Sequence, residues 1–80
     1  MSPSTEARVI RAIEAICNDK GLGPQSLTKD TVLDRTLGLE SLDYAELVIR
    51  LEDEFGVDPF NGTEVPAVRT IGDLAQLYPN

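Results

Sequence analysis

No histidine occurs among the 80 residues, which removes the commonest general base and the commonest metal ligand at once. A single cysteine, Cys17, excludes an internal disulfide and gives no sign of an oxidising compartment; its expected place is the core. Aromatics are scarce, two Phe and two Tyr, so the core must be filled largely by aliphatic side chains and is expected to yield. Cations are few as well. Seven Lys and Arg against fourteen Asp and Glu leave a formal charge of -7, which argues against nucleic acid or anionic membrane as partners and for proteins with basic docking patches. No apolar run reaches the length of a membrane span, and the first residues lack the basic-then-apolar order of a signal peptide, so cytoplasmic is the default expectation. The glycines do not fall at the spacing of a phosphate loop. With no acid-base or nucleophile constellation beyond surface carboxylates, the chain is not expected to be an enzyme or to hold a metal.

What is present is helical. Eighty residues make one domain, 1–80, whose small core suits a single compact helical layer. Ser2 to Glu6 supplies hydroxyl caps, a proline tolerated in a first turn and an acid near the positive helix end. Val9, Ile13 and Ile16 follow at i, i+4, i+7, with Ile10 and Cys17 beside them, predicting a helix over about Ser4 to Asn18. Residues 19–40 read as a long loop: Gly21, Gly23 and Pro24 forbid a long helix. Leu22, Leu27, Val32, Leu33, Leu37 and Leu39 are too apolar for a free linker and are expected to pin it, with room for one helical turn.

The most ordered signal runs from Leu37 to Gly56. Ser41 is a good N-cap residue, Leu42 to Phe55 contain neither Gly nor Pro, and Gly56 with Asp58-Pro59 supplies the stop. At about 100° per residue, Tyr44, Leu47, Val48, Leu51 and Phe55 share one arc, the pattern of a helix packed on a core. Asp43, Glu46, Arg50, Asp53 and Glu54 share the opposite arc, bordered by Leu42 and Ile49. An acidic stripe edged by apolar side chains suits a basic partner, since charge steers the encounter and apolar contact holds it. The same spacing describes a solvated face carrying two scattered hydrophobes. Beyond Gly56, turn residues and Pro66 leave room only for a short helix between Thr63 and Arg69. Thr70 and Asp73 then resemble a capping pair opening a last helix with Ile71, Leu74 and Leu77 inward, closed by Pro79.

A serine at a helix mouth has a chemical use: unpartnered N–H groups and the positive dipole end favour a phosphate ester there by about 0.3–1 kcal/mol. Its plainer use is as a cap. At this point the residues match a family. Leu39-Glu40-Ser41-Leu42-Asp43, continued by Glu46-Leu47-Val48 and Leu51 to Val57, closely resembles the attachment site and second helix of acyl carrier proteins, and Thr70 to Ala75 resembles the start of their last helix. The resemblance implies a small all-α four-helix bundle, three main helices plus one short helix, with a long first loop. It implies a covalent 4'-phosphopantetheine cofactor on Ser41, loaded by a phosphopantetheinyl transferase, and acyl thioesters delivered to enzymes of fatty acid, polyketide or specialised lipid synthesis. Partner contacts are then expected at Leu42, Asp43, Glu46, Ile49 and Asp53, with the chain a monomer. A stand-alone peptidyl or aminoacyl carrier, including the D-alanyl type, shares the fold and the serine, and an unmodified acidic interaction domain is the reading from another class. Three departures stand out. Glu40 replaces the usual aspartate and is a poorer cap, so Ser41 itself is expected to bond the helix N–H groups. Arg50 puts a cation in the acidic arc, where it is expected to pair with Glu46. Asp58 to Pro66 is less helical and less acidic than the corresponding family region.

Overall fold

The computed structural model describes residues 4–23, 26–60 and 67–79. Three helices appear in order, α1 (Thr5–Asp19), α2 (Ser41–Phe55) and α3 (Ile71–Ala75), with a 3-10 turn at Arg35–Leu37 in the loop before α2. Helix α1 packs on both of the others. Its start is the expected one: the Ser4 hydroxyl accepts the N–H of Ala7 at 3.1 Å and Glu6 lies in the first turn. The i, i+4, i+7 stripe then goes inward, with Val9, Ile13, Ile16 and Cys17 fully buried against Leu47 and Leu51 of α2 and Ile71 and Leu74 of α3. Cys17 is a free thiol in that core, its pKa raised chiefly by burial.

The loop is held by two means. Leu37 and Leu39 enter the core and Leu27 and Leu33 pack against it, as expected, but Leu22 and Val32 stay exposed. Val32 is fixed by its backbone instead, in an isolated antiparallel bridge to Thr70. Around that bridge the Leu33 N–H donates to Arg69 O at 2.7 Å, the Ile71 N–H to Thr31 O at 3.0 Å and the Gly72 N–H to Lys29 O at 2.8 Å. The last two are first-turn donors of α3 that no carbonyl of its own helix can reach. Loop carbonyls supply the partners. A Cβ at residue 72 would sit 3.1 Å from Lys29 O, so glycine permits the close approach.

Of the short helix expected between Thr63 and Arg69, residues 63–66 lie outside those described, and 67–69 are not helical. The described residues therefore form three helices and a 3-10 turn, without a fourth helix. Arg69 and Thr70 are drawn into pairing with the loop, which imposes an extended backbone there. The last helix is also shorter than predicted, ending at Ala75, with Leu77 half-buried in the turn that follows. Its cap is the predicted one: Thr70 Oγ1 accepts from the Asp73 N–H at 3.1 Å, and Asp73 Oδ2 from the Thr70 N–H at 3.2 Å. Backbone bonds from Arg69 and Thr70 hold the Asp73 carboxyl below the usual range.

The end of α2 closes against α1 and the C-terminal turn. Arg8 lies 4.1 Å above the Phe55 ring and bonds Glu54 at 3.2 Å, while Phe55 meets the Tyr78 ring at 5.0 Å. Gly56 stops the helix in the left-handed conformation, its N–H donating to Glu52 O at 2.8 Å.

Candidate functional site at the mouth of the second helix

Gly38 turns the chain toward α2 with φ +90°, a value glycine tolerates, and it lies close to Leu22, whose Cδ1 would sit 2.9 Å from an added Cβ. Leu39 then drops into the core and Glu40 emerges extended, with φ -104° and ψ 174°. The first helical bond, Tyr44 N–H to Glu40 O at 3.1 Å, closes on Glu40. Glu40 is therefore the N-cap and Ser41 the first helical residue, so the helix begins one position earlier than the sequence predicts. Asp43 decides the register: its Oδ2 accepts the Glu40 N–H at 2.8 Å and locks residue 40 into the cap position. Ser41 consequently has no capping duty. Its hydroxyl is exposed, has no hydrogen-bond partner among the described residues, and opens on a hollow lined by Gly38 to Leu42.

A second group converges on Asp43. Lys20, the C-cap of α1, donates to the same Oδ2 and, at 3.3 Å, to Gly38 O. Only 19% of the Asp43 side chain remains exposed. The bonds from the Glu40 N–H first and the Lys20 ammonium second hold its carboxyl below the usual range, and the Asp43 bond raises the Lys20 ammonium. Tyr44 ties the other side of the mouth to the loop, its hydroxyl donating to Asp34 O at 2.8 Å, and burial raises its pKa. Asp34 in turn accepts from the hydroxyl of Thr36 and, at 2.9 Å, from its N–H, which opens the 3-10 turn. The serine thus stands on a start of α2 that is bonded to α1 and to the loop.

Along α2 the two arcs separate as expected. Leu47 and Leu51 are buried, Tyr44, Val48 and Phe55 half-buried. Leu42 is 80% exposed and Ile49 65%, with Glu46 and Asp53 also exposed. Ile49, Glu52, Asp53 and Gly56 line a second open hollow. Arg50 pairs with Glu46 at 3.9 Å, the contact its spacing predicts, and more closely with Asp19 of α1 at 3.3 Å, a contact no local spacing reveals. The contact of Lys20 with the mouth of α2 is what sequence reasoning missed. A lysine ending a helix is a recognisable signal for the helix dipole. Its partner 23 residues away is not.

A family model described as a phosphopantetheine attachment site matches residues 9–78. The chain belongs to that family. Its members carry 4'-phosphopantetheine covalently on a serine and are carriers without catalysis of their own, so this carrier domain is not an enzyme. Such domains work with a phosphopantetheinyl transferase and with partner enzymes. No solved structure matches this carrier domain. The residues around Ser41 fit the group: an unbonded hydroxyl, an open hollow, and first-turn N–H groups at the start of a 15-residue helix. The carrier domain has no helix long and apolar enough to cross a membrane among the described residues.

Proposed function

We propose that Ser41 is the attachment serine and that the chain is a monomeric cytoplasmic acyl carrier, serving fatty acid, polyketide or specialised lipid synthesis. The observation that carries this reading is the Ser41 hydroxyl itself, exposed and unbonded because Asp43 relieves it of capping. Ser4, by contrast, is engaged by the Ala7 N–H. In the loading reaction the Ser41 oxygen forms a bond to the phosphorus of coenzyme A that bears the pantetheine, the phosphoanhydride bond breaks, the nucleotide half leaves, and the hydroxyl proton passes to the transferase or solvent. Once attached, the arm supplies a thiol for thioester formation. The chain's own part is to present the oxygen, to favour the phosphodiester by about 0.3–1 kcal/mol through the helix N-terminus, and to dock partners.

Docking falls to Leu42, Glu46, Ile49 and Asp53, with Asp43 at the edge of that face beside the serine. The exposed pair Leu42 and Ile49 lies seven residues apart, two turns along one side of α2, and Asp53 and Glu52, without an ion pair among the described residues, continue it. A net charge of -7 favours an acyl over a peptidyl carrier. The buried free Cys17 agrees with a reducing compartment. Intact mass after incubation with coenzyme A and a phosphopantetheinyl transferase tests the reading. One phosphopantetheine is expected on the wild-type chain and none on Ser41→Ala; a Ser41→Ala chain that still gains it would overturn the assignment.

A further inference from the structure

The seam between α1 and the polar face of α2 is laced by two cations. Lys20 reaches from the end of α1 to Asp43 and to Gly38 O, so both of its acceptors lie within three residues of Ser41. Arg50 reaches back from α2 to Asp19 and also holds Glu46. Three carboxylates of this region are thus engaged from within. Beyond Arg50 the pattern changes: Glu52 and Asp53 have no ion pair among the described residues and flank the exposed Ile49. The acidity of the face is therefore uneven: offset beside the serine, and at the far end held at Glu54 by Arg8 but without an ion pair at Glu52 and Asp53 among the described residues.

Resting on the carrier reading, we propose that Lys20 is an intramolecular competitor for a partner's cation at the serine end of this face. A lysine or arginine of a partner that seeks Asp43 must first displace Lys20. Partners suited to this chain instead seat apolar surface on Leu42 and Ile49 and place their cations at the Glu52 and Asp53 end. Geometry supports the competition directly. Asp43 Oδ2 is already shared by the Glu40 N–H and the Lys20 ammonium, and the Glu40 bond anchors the carboxylate in place when the lysine leaves. The capping bond from the Glu40 N–H does not pass through Lys20, so opening the pair releases the tie to α1 and leaves the cap of α2 in place.

The test uses the full chain, coenzyme A and a transferase with a basic docking patch. In Lys20→Gln the KM for the chain is expected to fall about two- to fivefold, with kcat unchanged and Lys20→Arg behaving as wild type. Lys29→Gln makes the same change in net charge away from the seam and is expected to give a smaller gain. In a Lys20→Gln/Asp43→Asn double variant the gain is lost, because the freed carboxylate is gone while the amide oxygen still accepts the Glu40 N–H. A KM that is unchanged or raised in Lys20→Gln, equal gains in Lys29→Gln, or a gain that survives Asp43→Asn overturns the proposal. A merely structural lysine would lower kcat or thermal stability without lowering KM. On the unsubstituted chain, the Lys20 side-chain and Asp43 carboxyl resonances are expected to shift when the transferase binds, and resonances that stay fixed count against displacement whatever the variants do. If no variant and no wild-type chain gains mass, the carrier reading itself has failed, a separate result.

Discussion

Asp43 works twice over at the smallest scale, and both duties depend on its charge. As an acceptor for the Glu40 N–H it sets where α2 begins, and as the partner of Lys20 it fastens that beginning to α1. Its carboxyl lies below the ordinary value because both donors favour the ionised form, the Glu40 N–H most. A depressed carboxyl contributes stability above its unfolded value, roughly 3.9, and loses it as pH falls through the folded value. The stability gap between wild type and Asp43→Asn in urea unfolding is therefore expected to be steady from about pH 5 to 9 and to close below about pH 4. Lys20 has the opposite sign: raised in the fold, its contribution is full below about 10.4 and fades as pH rises past it. At this scale the sequence was one residue out. Serine is the better cap by propensity, but a carboxylate at the third helical position fixed the glutamate before it as the cap.

For single elements, the proposed function gives α2 two jobs on opposite faces, and substitutions on the two faces separate them. Leu51 is fully buried and Leu51→Ala is expected to cost about 2–5 kcal/mol, a large share of the roughly 5–15 kcal/mol total of a small domain. Ile49→Ala, on a residue 65% exposed, is expected to stay within about 0.5 kcal/mol of wild type while raising the transferase KM. Urea unfolding with loading kinetics checks both; comparable stability losses would mean that the exposed face is structural. The arcs of α1 and α2 were legible because helical burial repeats locally, and so was Gly56 as a stop. The loop was not, since Val32 is held by a backbone bridge to Thr70, 38 positions on, which no side-chain pattern reports. The shortness of α3 is local to its end, where the Leu77 N–H donates to Leu74 O at 3.1 Å and the Tyr78 N–H to Ala75 O at 3.3 Å, three residues back rather than four.

Taken whole, the molecule presents the Ser41 hydroxyl on a braced helix start, beside a surface with two exposed apolar side chains and, among the described residues, carboxylates without ion pairs at Glu52 and Asp53. The family was readable because its proposed attachment motif is local, five residues from Leu39 to Asp43. The ion pairs that grade the face were not, since Lys20 and Asp19 meet it from another helix. Everything in the account passes through the oxygen of Ser41. Cleavage after Arg35 and Arg50 releases residues 36–50, a peptide whose one serine is Ser41, and fragmentation of that peptide after loading locates the phosphodiester. A single phosphopantetheine is expected, on Ser41 and on no other residue. An arm found in the peptides that hold Ser4 or Ser26, or absent from every peptide under conditions that load other carriers, would contradict it.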